Sequence, residues 1–468
     1  MALIKSISGI RGTIGGRPGE GLSPIDIVKF TAAFAEWVRR GNPNGKITVV
    51  IGRDARISGE MFRNLVLGTL QGMGVNVIDL GLSTTPTVEM AVEMEKAQAG
   101  IILTASHNPR QWNALKLLNE KGEFISAKDG EEVLRIADEE QFEFAEVQNL
   151  GKLTQIEGYI QKHIERILQL PLVDAQAIRN AKFRIVVDAV NSTGGIAVPA
   201  LLKALGVEQV IELYCKPDGN FAHNPEPLPE HLRDLSQEVI RSKAHLGISV
   251  DPDVDRLALV CEDGEMFGEE YTLVAVADYV LKHRSGNTVS NLSSTRALKE
   301  ITELSGNAYF SSAVGEVHVV EAIKKHQAII GGEGNGGIIY PELHYGRDAL
   351  VGIALFLSHL AHFGKSVSML RATYPNYFIS KNKIELTPEI DVDAILSKIR
   401  EKYSKQPVST IDGVKIEFDK TWVHLRKSNT EPIIRIYSEA ENSAVANSLA
   451  NKIIMDIKEL TSEMILGM

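Results

Sequence analysis

Leu246-Gly-Ile-Ser-Val250 runs straight into Asp251-Pro-Asp-Val-Asp-Arg256, so an apolar, β-branched run breaks into a loop with three carboxylates. Such a run, closed by turn-forming Pro and Asp, reads as a buried strand whose carboxyl end opens into a polar loop. The pattern recurs on both sides. Residues 46–51 (KITVVI) lead into Gly-Arg-Asp-Ala-Arg, residues 183–187 (FRIVV) into Asp-Ala-Val-Asn-Ser-Thr-Gly-Gly, and residues 328–330 into Gly-Gly-Glu-Gly-Asn-Gly-Gly. Amphipathic stretches separate these units. Near-continuous apolar strands alternating with helices predict α/β domains with largely parallel sheets. Ligands gather at the carboxyl ends of such strands, so one site assembled from several of these loops is expected.

The 468 residues carry 50 Lys and Arg against 60 Asp and Glu, a formal charge of −10. Nucleic-acid binders show a basic excess or stripe; neither is present, and no nucleic-acid partner is expected. A composition of 44% hydrophobic and 24% charged residues belongs to globular chains and excludes collagen-like, disordered or disulfide-scaffold classes. Cys215 and Cys261 form neither a metal pattern nor a disulfide framework, which fits a reducing cytoplasm. Residues 1–12 lack the apolar core of a secretory signal. The longest apolar stretch, 349–363, contains His359 and His362 and is shorter than the roughly 18 apolar residues of a membrane span. It reads as a buried helix, and no membrane partner is expected.

Length alone suggests about three domains. Pattern places boundaries near residues 155, 256 and 374, giving segments 1–155, 156–256, 257–373 and 374–468. Residues 131–148 and 158–170 read as helices. The last segment combines a polar helix (391–403), strands (413–418 and 422–425) and a terminal helix (443–460), the order of a small α+β domain.

Four loops carry chemistry. Thr104-Ala-Ser-His-Asn-Pro109 follows the apolar run 99–103. Ser106 at a strand's end can act as a nucleophile, with His107 beside it for proton transfer. Taken alone, the same residues also read as an Asn-Pro turn capped by Ser106. They do not form a Gly-x-Ser-x-Gly elbow. Asp251, Asp253 and Asp255 have no opposing lysine cluster in the sequence and repel one another unless a hard cation neutralises them. Mg²⁺ suits such carboxylates; a solvated acidic turn is the alternative. An EF-hand is excluded, because Arg256 stands where its glycine belongs and residues 257–261 read as a strand. Gly332, Gly334 and Gly337 satisfy G-x-G-x-x-G, but Ile338-Ile339-Tyr340-Pro341 is a poor helix start for a dinucleotide fold. The better reading is a loop presenting Glu333 and Asn335 to hydroxyls, or a flexible turn. Arg426-Lys-Ser-Asn-Thr-Glu-Pro432, with Arg435 beyond, offers guanidinium forks, hydroxyls and amides for a phosphate, or an ordinary charged hairpin.

In this order the four loops resemble the α-D-phosphohexomutase superfamily, over the whole chain. Its T-x-S-H-N-P phosphoserine loop, D-x-D-x-D-R magnesium loop, G-E-x-x-G sugar loop and R-x-S-x-T-E-P phosphate loop fall at 104–109, 251–256, 332–336 and 426–432. Ser8-Gly-Ile-Arg-Gly12 resembles the family's S-G-I-R-G, which implies that Arg11 lies near the active-site phosphate. Lys116 matches the lysine of N-G-x-K, a candidate for acid/base work, with Ala114 replacing the glycine. The resemblance implies three related mixed α/β domains and a smaller C-terminal α+β domain around a central cleft. It implies that Ser106 carries a phosphoryl group and exchanges it with a hexose phosphate through a sugar 1,6-bisphosphate, which also serves as activator. Mg²⁺ would sit on Ser106, Asp251, Asp253 and Asp255. Arg11, His107 and Lys116 would serve the reacting phosphate, Arg256, Glu333 and Asn335 the sugar. Arg426, Ser428, Asn429, Thr430 and Arg435 would hold the distal phosphate.

Substrate cues conflict. The glucosamine and mannose/glucose branches usually carry Ser, then Gly-His, in the sugar loop, where this chain has Asn335, Gly336 and Gly337. Arg426-Lys427-Ser428 resembles the glucosamine branch, whereas Asp251-Pro252-Asp253 and Ser428-Asn429-Thr430 lean toward the other. The expected reaction interconverts glucosamine 6- and 1-phosphates, since Glu333 and Asn335 offer oxygens to a C2 amine. Mannose and glucose phosphates are the alternative. A catalytically silent sugar-phosphate-binding paralogue is a third reading, opposed by Ser106 and the three aspartates.

Overall fold

Ala99–Leu103 (AGIIL) is buried along its whole length because it lies inside a sheet covered on both faces. Its successive residues point to opposite faces. Ile101 and Leu103 join the core under the helices Pro24–Gly41, Gly59–Gly72 and Ala127–Asp138. Ile102 packs with Val88, Ala91 and Val92 of the helix Thr85–Met94 on the other side. The computed structural model describes residues 2–6, 9–43, 45–386, 390–427 and 433–466, with 463–466 as backbone alone. Contacts divide them into two units, residues 1–283 with 335–371 and residues 284–334 with 372–468.

In the first unit a seven-stranded sheet runs in the order Leu3–Ser6, Gly9–Thr13, Trp112–Leu118, Ala99–Leu103, Thr48–Arg53, Asn76–Leu82, Leu153–Gln155. It is more mixed than the largely parallel sheet expected. The three pairings around Thr48–Arg53 and Asn76–Leu82 are parallel, and the three on the other side are antiparallel. The cause is connection length: Leu3–Ser6 reaches Gly9–Thr13 over two residues, too few for a crossover. A four-stranded sheet follows, in the order Leu257–Cys261, Leu246–Val250, Arg184–Asp188, Gln209–Leu213, with only the first pairing antiparallel.

The helix expected over 131–148 is instead Ala127–Asp138. Ser126 caps its start by accepting from the Asp129 amide. Asp138, Glu139 and Glu140 crowd the negative end of its dipole, and Glu140 leaves the helix with φ +50°. The apolar stretch Ala349–Phe363 is a buried helix, as expected, capped by Asp348 and closed by Gly364 at φ +67°.

The second unit holds parallel strands Tyr309–Ser312, Asn287–Asn291 and Ala328–Glu333. It also holds an antiparallel sheet, ordered Phe378–Glu385, Ile433–Ala440, Trp422–Lys427, Val414–Glu417, Val408–Ser409. Helices Val392–Lys402 and Ser443–Leu466 pack on that sheet, the smaller α+β arrangement expected at the C-terminus. Among the described residues, no helix is long and apolar enough to cross a membrane.

Candidate active site

Ser106 stands just beyond Ala99–Leu103 in the left-handed region, φ +49°, and is buried. A non-glycine residue there is strained by about 1–3 kcal/mol, so the surroundings must hold it. Its amide donates to Thr104 Oγ1 at 2.9 Å, and Thr104 Oγ1 donates to Asp54 Oδ2 at 2.6 Å. Arg56, also fully buried, donates from Nε to Asp54 Oδ2 at 3.0 Å. Its remaining donors reach the carbonyls of Ser106, Asn108, Pro109 and Trp112. One guanidinium thus ties down the turn that presents Ser106. This use of Gly-Arg-Asp-Ala-Arg was missed in the sequence reading, although the loop was visible at a strand's end.

Breaking a buried, hydrogen-bonded ion pair costs about 3–5 kcal/mol. Arg56→Met is therefore expected to destabilise the protein by that amount in denaturant unfolding. Arg56→Lys should recover little, because an ammonium has three donors and no planar fork.

The acidic loop lies against the same serine. Ser106 Oγ donates to Asp251 Oδ2 at 2.7 Å, and His107 Nδ1 is 3.4 Å from that Oγ. Asp251 Oδ1 accepts from the amides of Asp255 and Arg256. Val254 takes φ +65° to make the turn. The hydroxyls of Ser192 and Thr193 pin the loop by donating to Pro252 O, and the Ala349 amide by donating to Val254 O. All three aspartates are fully buried.

No lysine cluster opposes the loop in sequence, but the fold brings two single cations to it. Lys116 Nζ lies 2.7 Å from Asp253 Oδ2 and 3.5 Å from Asp255 Oδ2, and Arg347 donates to Asp255 Oδ2 at 2.6 Å. Thr85 Oγ1 also donates to Asp253 Oδ2, at 2.6 Å. These partners come from segments distant in sequence, which is why local spacing concealed them. They satisfy one oxygen of each carboxylate. Asp253 Oδ1 and Asp255 Oδ1 are buried with no hydrogen-bond partner. Orphaned buried carboxylate oxygens are costly, and ligand atoms of the three aspartates lie within 4.8 Å of one another. The all-oxygen donor set fits a hard divalent cation.

Electrostatics follow from crowding. Burial, then Asp255 and Asp253, push the Asp251 carboxyl well above the usual range. Burial also pushes Asp253 upward, but Lys116 and Thr85 outweigh it and leave Asp253 low. Burial works against charge on Lys116, yet Asp253 and Asp255 hold it protonated more firmly than usual. Burial and then Arg256 drive His107 down to about 2, so its imidazole is neutral.

Arg11 lies opposite Ala114 across a strand pair, on the face shared with Lys116 two residues on. Ser8 lies outside the described residues. Arg256 is half-buried, with Nη1 3.3 Å from Glu226 Oε1. Asn335 Oδ1 accepts from the Gly337 amide at 3.1 Å. A strand, Gly337–Ile339, follows this glycine loop, so no dinucleotide-type helix is formed.

In the second unit, Glu333 ends the strand Ala328–Glu333 and is buried. Its Oε1 accepts from Asn291 Nδ2 at 2.9 Å and from the Gly315 amide at 3.0 Å. Arg426 Nε is 2.7 Å from Asp412 Oδ2. Arg426 pairs directly with Arg435, and Arg435 with Lys383, across three adjacent strands. Like charges in register repel, which makes this face suited to an anion. Lys383 was not among the site residues expected from sequence; only the strand register reveals it. Ser428, Asn429 and Thr430 lie outside the described residues.

Residues 3–144, 159–264, 268–377 and 383–455 match, in order, the three α/β/α domains and the C-terminal domain of phosphoglucomutase/phosphomannomutase. A probable phosphoglucosamine mutase of Methanopyrus kandleri is 33% identical over 461 residues, 97% of this chain and 98% of that protein. A phosphoglucomutase/phosphomannomutase of Thermococcus kodakarensis is 35% identical over 93% of this chain and 95% of its own length. The crystal structure of a phosphoglucomutase/phosphomannomutase family protein from Burkholderia thailandensis aligns with a TM-score of 0.84 at 26% identity, over 97% of both chains. These likenesses run from end to end, through all four domains, and the chain belongs to the phosphoglucomutase/phosphomannomutase family, the phosphohexomutases.

Proposed function

We propose that the protein interconverts glucosamine 6-phosphate and glucosamine 1-phosphate through a phosphorylated Ser106. The observation that carries the reading is Ser106 Oγ, 2.7 Å from Asp251, held beside two carboxylates that each leave one buried oxygen open. The phosphoryl group leaves Ser106 Oγ for the free hydroxyl of the sugar monophosphate, giving a 1,6-bisphosphate. The bisphosphate turns end for end, and its other phosphoryl group returns to Ser106. In each transfer one P–O bond breaks as another forms, the proton of the attacking hydroxyl ends on the oxygen that gives up the phosphoryl group, and the serine phosphate is regenerated. A sugar 1,6-bisphosphate supplied from outside phosphorylates Ser106 initially, as an activator.

Asp251, Asp253 and Asp255, with an oxygen on Ser106, would hold Mg²⁺. Bound there, Mg²⁺ supplies positive charge against the phosphoryl oxygens. Lys116, kept charged by Asp253 and Asp255, adds a donor on the same side. Arg11 lies on the face that carries Lys116, and neutral His107 orients the Ser106 oxygen. Arg256, Glu333 and Asn335 engage sugar oxygens or the C2 amine. Arg426, Ser428, Asn429, Thr430 and Arg435 grip the distal phosphate, and remote grip of this kind supplies orientation. A cytoplasmic location suits the free thiols Cys215 and Cys261.

The sugar assignment rests on the carboxylate and amide oxygens of Glu333 and Asn335, and on the name of the Methanopyrus relative. The Thermococcus relative favours a second reading, mannose and glucose phosphates. Intact-mass analysis should find one phosphate, mapped to Ser106. Under one activator, kcat/KM for glucosamine 6-phosphate should exceed that for mannose and glucose phosphates. A neutral sugar ahead by more than about tenfold, roughly 1.4 kcal/mol, overturns the amino-sugar assignment.

A further inference from the structure

We propose that Arg347 is a positioning residue for the cation centre, seated in the space left by Gly337, and that it holds Asp255 by Oδ2 so that Oδ1 is the oxygen offered to a divalent cation. The inference rests on the reading of the aspartate loop as that centre.

Three observations carry it. Arg347 Nη2 donates to Asp255 Oδ2 at 2.6 Å, and both side chains are almost wholly buried. A Cβ at position 337 would lie 2.4 Å from Arg347 Cδ and 3.2 Å from its Cγ. Gly337 is therefore the room through which Arg347 passes. Finally, the segment bearing Arg347 is bolted in place. Arg347 bridges Ile339, the Asp348 amide donates to Ile338 O at 2.8 Å, and the Ala349 amide donates to Val254 O in the aspartate loop itself at 3.1 Å. Asp348 is anchored further by His163 Nε2 at 2.9 Å and His344 Nε2 at 3.1 Å.

A guanidinium on one carboxylate oxygen has two physical effects. It stops the carboxylate from turning both oxygens to a cation, and its charge lowers the attraction of the site for that cation. Removing it should make cation binding tighter and phosphoryl transfer slower, a combination that simple loss of packing does not produce.

The test is titration of the phosphorylated enzyme with Mn²⁺, followed by calorimetry or electron paramagnetic resonance, beside steady-state kinetics. Arg347→Met should bind Mn²⁺ about tenfold more tightly, with kcat lowered by about tenfold or more and KM for the sugar phosphate changed less than about threefold. Arg347→Lys, which keeps the charge, should restore Mn²⁺ affinity to near the native value. Gly337→Ala, which displaces the Arg347 stem, should move both readouts in the same direction as Arg347→Met. Combining the two should add nothing further, as expected of residues acting as one unit. Unchanged or weaker Mn²⁺ binding in Arg347→Met, or additive effects of the two substitutions, overturns the proposal. If native protein binds no Mn²⁺, or binds it equally after Asp253→Asn, the cation-centre reading fails and this inference falls with it.

Discussion

Ser106→Ala is expected to reduce turnover by at least about 10⁴-fold, roughly 5.5 kcal/mol of transition-state stabilisation, while leaving the protein folded. The reason is covalent. In the proposed mechanism, loss of Oγ removes the atom that carries the phosphoryl group between the two ends of the sugar. Thr104 Oγ1 is already engaged by Asp54 and by the Ser106 amide. The fold should survive, because the turn is held by Arg56 through backbone carbonyls, which Ala retains. Ser106→Gly is a useful companion. Glycine adopts φ +49° without strain, so it should be at least as stable as the alanine variant and equally inactive. Thermal unfolding and a coupled mutase assay on the three proteins separate the hydroxyl from the backbone. Substantial activity in either variant would remove the phosphoserine from the mechanism.

Excess chelator is expected to abolish turnover, and added Mg²⁺ to restore it. The three carboxylates are fully buried and crowd one another, which pushes Asp251 well above the usual carboxylate range. Two of their oxygens have no partner in the protein. A divalent cation relieves both. Because it binds the native fold, it should also raise stability, by about 2.7 kcal/mol at a concentration one hundred times its Kd. Asp253→Asn should lose this cation-dependent stabilisation along with most activity. It also deprives Lys116 of its nearest charge partner, at 2.7 Å, so the stability comparison must be made with and without Mg²⁺ for each protein. Full activity in excess chelator would falsify the metal assignment.

The chemistry of this site was written in short segments. Thr104–Pro109 and Asp251–Arg256 each follow an apolar strand, and a strand's end exposes whatever residues come next. Residue types and spacing within one loop pointed to a cation at the three aspartates but left Ser106 open to an ordinary Asn-Pro turn, and the resemblance of four loops in order singled the serine out. Local pattern also sufficed to refuse two false motifs. The strand Leu257–Cys261 stands where an EF-hand needs loop, and Gly337–Ile339 where a dinucleotide fold needs a helix. The mixed sheets were less legible, since strand direction depends on pairings such as Trp112–Leu118 against Ala99–Leu103, which no single segment specifies. Charge balance was not legible at all. Asp253 meets Lys116 across 137 residues, and Asp255 meets Arg347 across 92. Arg56 reaches the serine turn across about 50 residues, and Lys383 joins Arg435 only through strand register. A loop's own side chains are determined by the chain in order. The partners that orient and neutralise them are chosen by packing, which brings distant segments within hydrogen-bond reach only after the sheets and helices have closed.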